Sequence, residues 1–232
     1  MPSVDILLAA YNGEKYLREQ LDSVFDQNFG SFRIIARDDG SDDATPAILE
    51  EYERNHPDRF TVIRDEKKNL GCIGNFSALM ARSDAEYTMF CDQDDVWLEG
   101  KVKAVMGEFN NGADVVLHDA DIVDGELNPT GETAFKINGA GTGIIKNIVK
   151  NSYQGSCMAF RASLKQHILP FPDSIPMHDQ WIGLTGEKYG KVALIRKSYI
   201  LYRRHGENVS GNGSSLMQKI KWRIAVIGCL LK

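Results

Sequence analysis

Before residue 92, four short apolar runs alternate with stretches of helical spacing, and this alternation constrains the fold more than any other feature of the chain. The runs are Val4 to Ala10, Phe32 to Ala36, Phe60 to Ile63 and Tyr87 to Cys91. Between the first two, Lys15 to Asp26 sets Tyr16, Leu17, Leu21, Val24 and Phe25 on one helical side. Thr45 to Arg54 carries Pro46 in its first turn, where a missing N–H does no harm. Gly74 to Arg82 reads as a third helix. Strands separated by helices imply βαβ units, hence an α/β fold on a mainly parallel central sheet flanked by helices. In open sheets of this kind ligands gather at the carboxyl ends of the strands. Tyr11-Asn12, Asp38-Asp39 and Asp92-Gln93-Asp94 all fall just after a run, so they are expected along one edge.

The second half is less regular. Val115 to His118, Ile122-Val123, Cys157 to Phe160, Val192 to Arg196 and Ser198 to Tyr202 read as strands. The Gly-rich stretch from Asn138 to Gly143 reads as a mobile or substrate-facing loop. Met177 to Trp181 opens a helix that runs to Tyr189. The segment Ser215 to Leu231 is apolar and basic, with Leu216, Ile220, Ile224 and Ile227 on one helical face and Lys219, Lys221, Arg223 and Lys232 around it. Such a helix can lie on an anionic membrane surface or pack on the protein itself. Ile224 to Leu231 is too short to span a bilayer, which takes about 20 apolar residues.

A chain of 232 residues is one large domain or a domain with a small appendage. A hydrophobic share of 43% is enough for a real core. A net charge of −5 argues against a nucleic-acid partner held by phosphate neutralisation. Cys72, Cys91, Cys157 and Cys229 show no close spacing, which suggests free thiols in a reducing cytosol. No basic region precedes the first apolar run, so no signal peptide is expected.

The chemistry concentrates at Phe90-Cys91-Asp92-Gln93-Asp94-Asp95-Val96-Trp97, where an apolar run stops at three carboxylates within four positions. Carboxylate oxygens are preferred ligands of Mg²⁺ and Mn²⁺, and such a cation is commonly shared with a substrate's phosphates. The plainer reading is an acidic surface turn.

Together, Ala9-Ala10-Tyr11-Asn12, the stretch Arg37-Asp38-Asp39-Gly40-Ser41-Asp42-Asp43, Asp92 to Asp95, His178-Asp179 and the late stretch from Tyr202 to Ser210 resemble the family 2 inverting glycosyltransferases. That resemblance implies a GT-A fold over residues 1–212, with a nucleotide-binding half (1–97), an acceptor-binding half (98–212) and a separate terminal helix (213–232). It implies a DxD motif at Asp92 and Asp94, with Asp94 the direct ligand of Mg²⁺ or Mn²⁺ and Asp92 facing the ribose and the metal. Asp95 takes a supporting place or caps a helix before Leu98. Asp39 reads the base by accepting its imide N–H, while Asp38 sets the turn. Ala9, Tyr11, Asn12, Asn75 and Gln93 line the nucleotide. Asp179 is the general base, with His178 in place of the family's customary acidic neighbour. His205 completes the metal–diphosphate site, and Arg203, Arg204, His178 and Trp181 are further candidates for diphosphate or acceptor contacts.

Asp92 to Leu98, Ala120 to Asp124, Met177 to Trp181 and Leu201 to Val209 look most like bacterial rhamnosyltransferases of cell-wall and O-antigen assembly. The implied donor is dTDP-β-L-rhamnose, with a UDP-sugar as the alternative. The implied acceptor is a glycan or lipid-linked saccharide at the cytoplasmic face of the membrane. A sugar nucleotidyltransferase is disfavoured because Ala9 to Gly13 lacks a Gly-rich, basic signature. A non-catalytic nucleotide-sugar-binding module is disfavoured by the joint presence of Asp94, Asp179 and His205.

Overall fold

The computed structural model describes residues 3–205 and 215–231. The late motif beyond His205 and the expected boundary at 212 lie outside them.

The alternating half unfolds as expected into β1 (Val4–Ala10), α1 (Leu17–Phe25), β2 (Phe32–Asp38), α2 (Thr45–Asn55), β3 (Phe60–Val62), α3 (Gly71–Arg82) and β4 (Tyr87–Asp92). Then follow β5 (Val96–Trp97), α4 (Lys101–Asn110), β6 (Val115–Val123), β7 (Pro129–Thr133), α5 (Ala134–Asn138) and α6 (Ile144–Val149). The chain continues through β8 (Met158–Arg161), α7 (Lys165–Ile168), α8 (His178–Tyr189), β9 (Val192–Arg203) and α9 (Leu216–Leu230).

One sheet runs β3-β2-β1-β4-β8-β6-β9-β5, with β7 paired to β6. It is parallel from β3 to β4 and again between β6 and β9. The antiparallel strand β8 sits between these parts and makes the sheet mixed. A sheet covered on both faces needs two apolar faces, and β1 supplies them by alternation. Val4, Ile6, Leu8 and Ala10 pack with Leu17 and Leu21 of α1, Ile48 of α2 and Val105 of α4. Leu7 points the other way, into a core with Phe76 of α3, Trp181 and Ile182 of α8, and Val226 of α9. Asp5, inside the same strand, is tolerated because Arg33 grips it with two bonds of 3.0 Å and the N–H groups of Asp84 and Ala85 donate to it.

Several expectations change. Val115 to His118 and Ile122-Val123 are one strand, and so are Val192 to Arg196 and Ser198 to Tyr202. The polar residues that interrupt the first pair are internally satisfied: the Asp119 carboxylate accepts from the N–H groups of Ala120 and Phe135. The Gly-rich stretch is the loop between two short helices, with Gly139 closing α5 at φ 66° and the carbonyls of Gly141 and Gly143 accepting from Asn147. No helix starts at Leu98. Helix α4 begins at Lys101 behind left-handed Gly100, so Asp95 is not a helix cap.

Candidate active site

Strand register aligns three turns. Ala10 lies opposite Asp38 and Ala9 opposite Asp92, so the segments after β1, β2 and β4 leave the sheet together. Strand order reverses at β1, with β2 and β3 on one side and β4 on the other. The crevice beyond such a switch point is where open α/β sheets bind ligands.

The three turns are tied to one another. Gln93 Oε1 accepts from the Tyr11 N–H at 2.7 Å, and its Nε2 donates to the Tyr11 carbonyl at 2.9 Å. Gly13 makes room for this clasp, since a Cβ there would stand 2.4 Å from Gln93 Oε1. The Asn12 N–H donates to Ser41 Oγ at 2.8 Å, and Asn12 Oδ1 accepts from the Asp42 N–H at 3.0 Å. Asp38 closes its own turn by accepting from the N–H groups of Gly40 and Ser41 and from the Ser41 hydroxyl. The side chains of Asn12 and Gln93 therefore shape the crevice by bonding protein. Ala9 lies one residue before the end of β1, half-buried, and Tyr11 just beyond the strand is 48% exposed.

Asp39 is held from behind. Its carboxylate accepts from Arg37 Nη1 at 2.8 Å and from the N–H groups of Leu70 and Gly71 at 2.9 and 2.8 Å. Arg37 is fully buried. It also donates to Asn75 Oδ1 and makes a two-bond pair with Asp65, whose carboxyl it holds below the usual range. Asn75 thus reaches Asp39 through Arg37. Sequence reading assigned Arg37 no role; the available signal was a lone cation at the end of an apolar strand.

The acidic motif is crowded. Burial, then the charges of Asp94 and Asp179, push half-buried Asp92 up to about 7. Burial, then the charges of Asp94 and Asp92, raise Asp95 well above the ordinary carboxylate range. Asp95 Oδ1 accepts from the Arg203 N–H, while buried Oδ2 has no partner among the described residues. Beneath the cluster lies a cation that sequence reading missed. Lys101 is buried, donates to the Ser156 carbonyl at 2.9 Å and stands 3.5 Å from the Trp97 ring centre. Burial lowers its pKa to about 8, against the opposing pull of Cys157, Cys91, Asp95 and Asp92.

Antiparallel pairing of Val96 with Leu201 folds the end of β9 back onto this motif. His205 Nε2 then sits 2.8 Å from Asp94 Oδ2. Arg203 does not offer its guanidinium to a ligand as expected. It is buried against the Tyr16 ring, donates to the carbonyls of Asp94 and Gly125, and pairs with Glu19. Arg204 is exposed and anchored by its backbone N–H to the Val123 carbonyl.

Among the described residues no group of three His, Cys, Asp or Glu ligands is preformed. The donor chemistry nevertheless fits Mg²⁺ or Mn²⁺. Asp94 and His205 supply one oxygen and one nitrogen at a common point, and a phosphate-bound cation draws its remaining ligands from phosphate oxygens and water.

Across the crevice, Asp179 lies in the first turn of α8 and is buried. Its Oδ1 accepts from Asn151 Nδ2 at 3.3 Å and from the Gln180 N–H at 2.5 Å. Burial raises it to about 6 despite those bonds. Burial, then the charges of Asp92, Asp179 and Asp39, push the Cys72 thiol up. His178 is buried behind Asp179, its Nδ1 3.8 Å from Cys72 Sγ. It packs against Phe76 and Phe90, with ring centres at 4.5 and 5.2 Å, and burial lowers it to about 3. Trp181 is likewise a core residue, its Nε1 donating to the Ile168 carbonyl at 3.0 Å. The structure thus removes both from the expected acceptor contacts. Asn151, to which the sequence drew no attention, takes the place beside Asp179.

The family described as glycosyl transferase family 2 matches residues 5–169. A putative glycosyltransferase EpsH of Bacillus subtilis is 42% identical over 98 residues, which cover 42% of this chain and 27% of that protein. The dTDP-rhamnosyl transferase RfbG of Shigella flexneri is 28% identical over 92% of this chain and 77% of its own length. An uncharacterized glycosyltransferase of Nostoc sp. is 25% identical, and the chain spans 66% of it. Among solved structures, Staphylococcus aureus TarS 1-349 in complex with UDP-GlcNAc superposes with a TM-score of 0.76 at 20% identity, covering 100% of this chain and 67% of that one. The mannosyltransferase PcManGT of Pyrobaculum calidifontis, in complex with GDP-Man and Mn²⁺, superposes at 0.64 with 14% identity, over 99% and 70% of the two chains.

Proposed function

The chain belongs to glycosyl transferase family 2, and on that premise we propose that it is a metal-dependent inverting transferase that moves a sugar from a nucleoside diphosphate to a saccharide in bacterial surface-polysaccharide synthesis. The observation that carries this reading is the meeting of Asp94 and His205, from distant segments, beyond the switch point, and the charge of Asp179 bearing on Asp92 beside them supports it. Asp39, fixed by Arg37, accepts the imide N–H of a uracil or thymine. Asp94 and His205 would hold a divalent cation, which would offset the charge growing on the leaving diphosphate. Asp179 takes the proton of the acceptor hydroxyl as its oxygen bonds to the anomeric carbon and the bond to the diphosphate breaks on the opposite face.

The donor we favour is dTDP-β-L-rhamnose, because the rhamnosyl transferase relative aligns along most of both chains. The UDP-GlcNAc complex of TarS favours a UDP-sugar as the second reading. A lipid-carried acceptor at the inner membrane face is supported by the undecaprenol-linked substrate named for a Campylobacter jejuni relative, 26% identical over 112 residues.

Calorimetry with UDP and dTDP tests the site. Binding should require Mn²⁺, vanish with EDTA and be lost in Asp94→Ala with the fold intact. Metal-dependent affinity that survives Asp94→Ala refutes the assignment.

A further inference from the structure

Helix α9 packs against the protein through buried Val226 and Leu230 and leaves a second apolar stripe uncovered. Met217, Ile220, Ile224, Ile227 and Leu231 recur at alternating steps of three and four, which holds them on one face, and all are exposed, Ile224 at 66% and Leu231 at 82%. Helix α6 lies alongside, tied by the bond from Arg223 to the Val149 carbonyl, and it adds Ile145, 81% exposed, and Val149. Contiguous exposed apolar surface of this kind marks an interaction face.

Charge identifies the partner. Residues 134–172 and 215–231 contain no Asp or Glu, in a chain whose net charge is −5. The apolar stripe is flanked by exposed Lys146, Lys150, Lys219 and Lys221. A second copy of α9 would bring like charges together, since this helix has no carboxylate to answer them. An anionic bilayer offers both acyl chains and negative headgroups. Among the described residues no helix is long and apolar enough to cross a membrane, so the contact is one of lying on the surface.

We propose that the joined faces of α6 and α9 form an in-plane docking surface for an anionic phospholipid bilayer. The surface adjoins the chemistry. Two residues past the end of α6, Asn151 donates to Asp179, and Asn147 of α6 accepts from Gln180 of α8. Docking there holds the acceptor side of the crevice close to the headgroups. The inference deepens the reading of a lipid-carried acceptor, and its test uses vesicles that contain no acceptor, so the two can fail separately.

The full chain should float with vesicles of phosphatidylcholine containing about one-third phosphatidylglycerol and stay behind with phosphatidylcholine alone. Each cation near an anionic surface raises partitioning roughly fivefold, so Lys219→Gln with Lys221→Gln should lower it about 25-fold. Ile145→Asn with Ile224→Asn should abolish flotation while circular dichroism and metal-dependent nucleotide binding stay unchanged. Absence of flotation by the folded chain overturns the proposal. Equal flotation on neutral vesicles overturns the choice of an anionic surface. A dimer in light scattering that Ile224→Asn converts to monomer, without vesicle binding, assigns the face to self-association instead and also overturns it.

Discussion

Asp179→Asn separates the chemistry from the architecture most sharply. Asn keeps the shape and can direct its carbonyl oxygen at Asn151 Nδ2 and the Gln180 N–H, the two donors that Asp179 Oδ1 now receives. One favourable term goes: the Gly155 N–H also favours the ionised carboxylate, and the amide nitrogen of Asn would face it without accepting. Leaving one buried N–H unsatisfied costs about 1–3 kcal/mol, too little to unfold a domain of this size. The amide cannot take a proton. General-base catalysis is worth about 10²–10⁴-fold, which at 1.36 kcal/mol per tenfold is about 2.7–5.4 kcal/mol of barrier. Single-turnover transfer should slow by that factor while calorimetry shows near-normal donor affinity. The wild-type rate should also carry an acid limb. Asp179 must be ionised to act, and with its pKa raised to about 6 it is protonated as pH falls through that value. One pH unit below, about a tenth of the plateau rate should remain. A wild-type rate for Asp179→Asn, with chemistry limiting, would reduce this residue to a helix-terminal polar group and refute the reasoning.

Asp39 selects for a free imide N–H, so UDP and dTDP should bind more tightly than CDP or GDP, and equal affinities in calorimetry contradict that role. Arg37→Met leaves Asp39 buried without its cation; breaking such a pair costs about 3–5 kcal/mol, to be read as a lower urea midpoint at unchanged slope. His205→Ala should weaken Mn²⁺-dependent nucleotide binding and leave the thermal transition of the nucleotide-free protein nearly unmoved, whereas a large stability loss without a binding loss assigns His205 to structure. Gln93→Ala releases the clasp on Tyr11 and should weaken nucleotide binding less than Asp94→Ala does; no loss at all removes the clasp from the binding argument.

The apolar runs and helical spacings before residue 92 were enough to determine a parallel βαβ half and the edge where Asp39 and Asp92 emerge, because βαβ units are local; the order β3-β2-β1-β4 came only with the structure. Asp39, Asp92 and Asp94 were legible because they follow apolar runs, whereas Asp179 was singled out only by the family resemblance. What lay outside the sequence's reach depends on pairing between distant segments. His205 meets Asp94 only because β9 runs antiparallel to β5, and no periodicity encodes a contact across 111 residues. The same pairing buries Arg203, so one of two adjacent arginines became a structural cation and the other stayed exposed. His178 and Trp181 lie beside Asp179 in sequence, yet the rotation of α8 sends both into the core, where burial keeps the imidazole neutral. Lys101 lies under the acidic motif because α4 starts behind Gly100 and drives its first side chain inward, and a lysine's burial is decided by what surrounds it, not by its neighbours in the chain.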